Sequence, residues 1–142
     1  MTTRRTALLQ LAAVALACRW PIAFGQASTR ISLAQMEEMF RNLRARTPWN
    51  VDGPLLWGYD FFDTNPAKLA RLGDELKASG YRVVGIERVA GKPDHKLHVE
   101  RVEAHTPASL HARNQQFYAL ADKFAVDAYD GMDVGPAPAG AK

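Results

Sequence analysis

The densest run of chemically capable side chains is Leu97-His98-Val99-Glu100-Arg101-Val102-Glu103-Ala104-His105. An extended chain sends successive side chains to opposite faces. His98 and Glu100 therefore share one face, while Arg101, Glu103 and His105 share the other. An imidazole and a carboxylate two residues apart can hold a divalent cation when a third donor joins them. Asp60, on a neighbouring strand, is the nearest candidate in type, although these residues do not by themselves supply a complete ligand set. The same residues equally suit a solvated sheet face laced with cross-strand ion pairs. Asp60, His98 and Glu100 thus mark a candidate ligand face, with no metal assigned to it.

Other chemistries find less support. Ser109 and His111 stand two apart near the start of a helix and do not face one another. There is no Gly-x-Ser-x-Gly elbow, and the only cysteine, Cys18, lies near the N-terminus. Glu100 and Glu103 point to opposite faces and form no glycosidase-like pair. No catalytic residue is assigned, and the chain is not expected to be an enzyme. The aromatic run Trp57, Tyr59, Phe61 has the residue types of an RNA-stacking platform, but Asp60 and Asp63 stand where such a sheet needs Lys and Arg. A buried central strand is the expected use of those rings.

The most unusual local sequence is Tyr129-Asp130-Gly131-Met132-Asp133-Val134-Gly135-Pro136. Two glycines and a proline prescribe a particular backbone path, and carboxylates and a phenol lie along it. Tyr129, Asp130, Gly131 and Asp133 are accordingly candidates for a partner-binding edge. The alternative is a terminal strand with a glycine bulge and a tyrosine that plugs the core.

The elements that must position these groups follow from periodicity and punctuation. A helix is expected over 32–46, with Ser32 as cap and Leu33, Met36, Met39, Phe40 and Leu43 on its apolar stripe. The run Leu55–Phe62 reads as a central strand buried on both faces. Asn65-Pro66 opens a helix carrying Leu69, Leu72 and Leu76, and Gly80 ends it. Tyr81–Val89 and Leu97–Ala104 flank a short turn and should form a hairpin. Thr106-Pro107 opens a third helix with Leu110, Phe117, Leu120, Ala121 and Phe124 inside, and 126–134 is a last strand. A helix followed by strand–helix–strand–strand–helix–strand matches the ferredoxin-like α+β plan: an antiparallel sheet with the core helices on one face. The core spans 54–135, and 136–142 reads as a loose tail.

The chain has 142 residues, 18 of them basic and 15 acidic. Arg4, Arg5 and Arg19 all precede Ser28, and no acidic residue does, so the remainder is formally neutral. A basic field for nucleic acid is absent from it. Met1–Ala27 has a positive start, an apolar stretch too short for a bilayer span, and small residues before a cleavage point. It reads as a signal peptide cut after Ala27, with Arg4-Arg5 similar to a twin-arginine signal. A lipoprotein anchored at Cys18 and a cytoplasmic protein with an unusual N-terminus are the alternatives. The expected location is the periplasm or the exterior.

Leu120-Ala121-Asp122-Lys123-Phe124-Ala125-Val126, followed by Tyr129-Asp130-Gly131, resembles the closing helix and strand of the RraB (regulator of ribonuclease E activity B) family. Gly80-Tyr81 with Val83, after the upstream strand, Asp-rich turn and helix, is similar to that family as well. The resemblance covers about 55–135. It implies a ferredoxin-like fold and inhibition of ribonuclease E by direct protein binding, without cofactor or catalysis. The best-known members are acidic, carry an acidic tail and work in the cytoplasm, whereas this chain beyond residue 27 is neutral and follows an export leader. The expectation is a non-enzymatic interaction domain whose partner is an envelope protein, ribonuclease E being a partner by resemblance only. The second reading is an exported small-ligand or metal-binding domain using the His98/Glu100 face.

Overall fold

The computed structural model describes residues 30–140. The expected leader Met1–Ala27, with Arg4, Arg5 and Cys18, lies outside the described residues, as do the last two residues of the expected tail. Among the described residues no helix is long and apolar enough to cross a membrane.

Helix α1 (Leu33–Arg46) starts from a reciprocal cap: the Ser32 hydroxyl accepts from Gln35 N, and the Gln35 side chain accepts from Ser32 N. Strand β1 (Leu55–Asp63) leads into α2 (Pro66–Ala78), capped by Asn65 with Pro66 in its first turn. Gly80 closes α2 because its φ of +94° lets Gly80 N reach Lys77 O and Tyr81 N reach Leu76 O. Strands β2 (Arg82–Arg88) and β3 (His95–Glu103) form the expected hairpin. Helix α3 (Pro107–Lys123) repeats the reciprocal cap with Thr106 and Ser109, and β4 (Ala128–Pro136) ends one residue inside the expected tail. Asp63 ties the far ends together, its buried carboxylate accepting from Asn65 N and Asp127 N.

All strand pairs are antiparallel, in the order β2-β3-β1-β4, giving an α+β domain of four strands and three helices. Leu55, Trp57, Tyr59 and Phe61 on β1, with Leu97 and Val99 on β3, face the helices and are buried. Phe117 of α3 is the hub, its ring 4.8 Å from Tyr59, 5.5 Å from Phe61, 5.6 Å from Tyr81 and 5.4 Å from Tyr129. Phe40 of α1 stacks on Trp57.

Three expectations need correction. β1 is central but not buried on both faces: Leu56, Asp60 and Phe62 are only half-buried. The helices cover the other side of the strand, and alternation then leaves these residues on the open side. On α1 only Met36 and Phe40 are buried, and Leu33 is 41% exposed at the helix start. On α3 the buried stripe runs Leu110, Asn114, Phe117, Ala121, leaving Leu120 and Phe124 at its margin. A polar Asn114 in mid-stripe hides this register from a hydrophobicity count.

Candidate functional site

β3 and the loop after it carry polar groups to both sides of the sheet. On the inner side Glu103 Oε1 accepts from Arg113 at 2.6 Å and from the Tyr59 hydroxyl at 3.0 Å, with His105 Nε2 3.3 Å away. Arg113 also donates to the Tyr81 hydroxyl and lies over the Tyr81 and Phe117 rings. Burial alone would raise the Glu103 carboxyl. The hydrogen bonds from His105 and Arg113, with their positive charge, outweigh burial and hold its pKa down at about 2. Burial, reinforced by the Glu103 charge, pushes the Tyr59 hydroxyl far above the usual phenol range, so it remains a donor.

His105 Nδ1 lies 2.9 Å from Ser109 Oγ, so Ser109, His105 and Glu103 form a chain with the residue types of a hydrolytic relay. The bonding makes it a helix cap. Ser109 Oγ accepts from Thr106 N and donates to Thr106 O, and the Glu103 carboxylate is already taken by Arg113 and Tyr59. Sequence reasoning weighed Ser109 against His111, set that pair aside, and placed His105 beside Glu103 without linking it to Ser109, although a four-residue spacing across a helix start was the available signal. His111 Nε2 instead lies 3.3 Å from Gln115.

The outer side is built differently. His98 stands directly opposite Asp60, and His98 Nδ1 lies 2.7 Å from Asp60 Oδ1. Asp133 of β4 joins them: one ligand atom from each of Asp60, His98 and Asp133 lies within 4.8 Å of the other two. Glu100, expected to share the ligand face with His98, is a neighbour rather than part of this group. Its Oε2 is 3.8 Å from His98 Nε2, and its other oxygen is held by Arg82.

A bulge places Asp133. Tyr129 pairs with Phe61 and Met132 with Tyr59, so Asp130 and Gly131 together face Asp60. Without the extra residue Asp133, four positions after Tyr129, would point inward with it. With it, Asp133 lies opposite Gly58 and turns outward. Gly131, at φ +99°, supplies the backbone geometry that this path requires.

The expected partner-binding residues separate into two groups. Tyr129 is 6% exposed, and its hydroxyl donates to Asn114 Oδ1 at 2.6 Å. Its side chain packs in the core, as the alternative reading of this segment has it. Gly131 is buried as well, whereas Asp130 and Asp133 are exposed on an edge strand of the sheet.

A family model described as regulator of ribonuclease activity B (RraB) matches residues 33–134, from the start of α1 into β4. Among curated proteins nothing matches the chain.

Proposed function

The chain belongs to the RraB family, and from that membership we propose that it is a non-enzymatic regulator that grips a protein partner along β4. The observation that carries the reading is the family match over residues 33–134. The geometry supports it at one place. β4 is an edge strand, and such a strand offers free backbone donors and acceptors to an incoming chain. Asp130 and Asp133 add exposed charge there. The order β4-β1-β3-β2, with α2 and α3 linking the strands, is what we read as the ferredoxin-like plan.

Export belongs to the same proposal. Met1–Ala27 has signal-peptide layout, so the working form begins at Ser28, in the periplasm or outside the cell, and its partner is an envelope protein. A neutral domain gains little long-range attraction to a basic ribonuclease region, so inhibition of ribonuclease E is expected to be weak or absent. Fractionation with N-terminal sequencing, combined with a ribonuclease E assay of the purified protein, tests both halves. Ser28 as the first residue, extracytoplasmic location and little inhibition are expected. Stoichiometric inhibition by a cytoplasmic protein starting at Met1 or Thr2 would replace this reading with a cytoplasmic ribonuclease inhibitor.

A further inference from the structure

We propose that Asp60, His98 and Asp133 form a binding site for a first-row divalent cation of the zinc type on the open face of the sheet. The three residues come from adjacent strands β1, β3 and β4, and their ligand atoms lie within 4.8 Å of one another. One imidazole nitrogen and two carboxylate oxygens make a three-ligand set that leaves a coordination position open, as in zinc sites that take water or a further ligand. Ligands of tetrahedral zinc sit about 3.4 Å apart. Closing the remaining gap needs side-chain rotation of an ångström or so, and partly exposed carboxylates on a sheet surface have that freedom. The imidazole discriminates against Mg²⁺ and Ca²⁺, which prefer oxygen throughout.

Two features of the backbone converge on this spot independently of the cluster's charge. The first is Gly58, beneath the site. A Cβ there would lie 2.4 Å from Asp133 Oδ1 and 2.6 Å from His98 Cε1, so the two side chains lean into a cradle that any other residue would fill. The second is the Asp130–Gly131 bulge, without which Asp133 would face the core. Around the site, Asp60 meets His98 Nδ1 at 2.7 Å, a contact that a cation bound at that nitrogen would replace, and Glu100, held by Arg82, stands beside Nε2. The remaining histidines lie elsewhere: His105 is in the inner network, His111 contacts Gln115, and His95 faces Asp63 across the strands. The site shares Asp133 with the proposed partner edge, but its binding does not depend on that reading, since a cation there leaves the backbone edge of β4 free.

Isothermal titration calorimetry of the EDTA-treated full chain, without a histidine tag, tests this with Zn²⁺, Mn²⁺ and Mg²⁺. One equivalent of Zn²⁺ should bind more tightly than Mg²⁺. His98→Ala and Asp133→Asn should each weaken Zn²⁺ by roughly 10–100-fold, at least the loss caused by removing an outer-shell partner. His111→Ala should leave binding unchanged. Gly58→Ala should also weaken it, and because that change crowds the sheet, Asp133→Asn at an exposed position serves as the variant whose fold is kept. Circular dichroism on every variant checks folding. No Zn²⁺ binding, binding equal in Asp133→Asn and wild type, or Mg²⁺ binding as tight as Zn²⁺ would each overturn the site.

Discussion

Glu103 and His105 on the inner side of the sheet, and His98 and Glu100 on its outer side, are the same two residue types at the same two-residue spacing. Their surroundings make them different devices. The inner pair is roofed by α3, which brings Arg113 and Ser109 to it, so its acceptors and donors are matched within the fold. Among the described residues, the outer pair has no helix above it and meets strand neighbours: Asp60, Arg82 and, through a bulge, Asp133. Alternation along β3 decides which set of charges holds the domain together and which is left free to bind something else.

If the inner face carries the stability, its hub should give the largest loss. Phe117 touches four aromatic rings, and Phe117→Ala should cost about 3–5 kcal/mol in urea unfolding. A loss below about 1 kcal/mol would mean that the core is organised elsewhere.

Glu103→Gln should follow, at about 2–3 kcal/mol, because hydrogen bonds to a charged group are lost and Arg113 is left without its carboxylate. This effect has a pH signature. The folded-state pKa of Glu103, about 2, is below its unfolded value. The carboxylate's contribution is therefore complete above the ordinary carboxylate range and is lost as pH falls toward 2. Wild-type melting temperature should drop across that window more steeply than that of Glu103→Gln. Parallel profiles would remove Glu103 from the account.

Tyr129→Phe should cost about 1–2 kcal/mol, since Asn114 Oδ1 would lose its donor inside the core. It should leave partner binding intact. If the variant instead keeps full stability and loses the partner, Tyr129 belongs to the recognition edge after all.

How far the sequence could be read follows the same division. Caps and breakers were legible because each acts within four residues: Ser32 with Gln35, Asn65 with Pro66, and Gly80 after α2 all stand where local chemistry puts them. Alternation on β3 correctly separated His98 and Glu100 from Glu103. Residue type offered Asp60 as a candidate companion on a neighbouring strand, and the register between β1 and β3 then sets it opposite His98. Asp133 was noticed as a recognition residue but not as a neighbour of His98. Its outward direction depends on a bulge between β1 and β4, and register between distant strands has no local signature. Asn114 and Arg113 were missed for a related reason. Each looks like a surface residue until Tyr129 and Glu103 arrive from far along the chain to pair with them.

The division between the faces is tested most directly by the thermal midpoint of two paired variants at pH 7. Tyr59→Phe with Glu103→Gln removes the inner network, and Asp60→Asn with Asp133→Asn removes the outer carboxylates. The inner pair should lower the midpoint by roughly 10 °C or more, and the outer pair should change it by about 3 °C at most. Equal losses, or a larger loss from the outer pair, would contradict the assignment of stability to the helix-covered face and of binding to the open one.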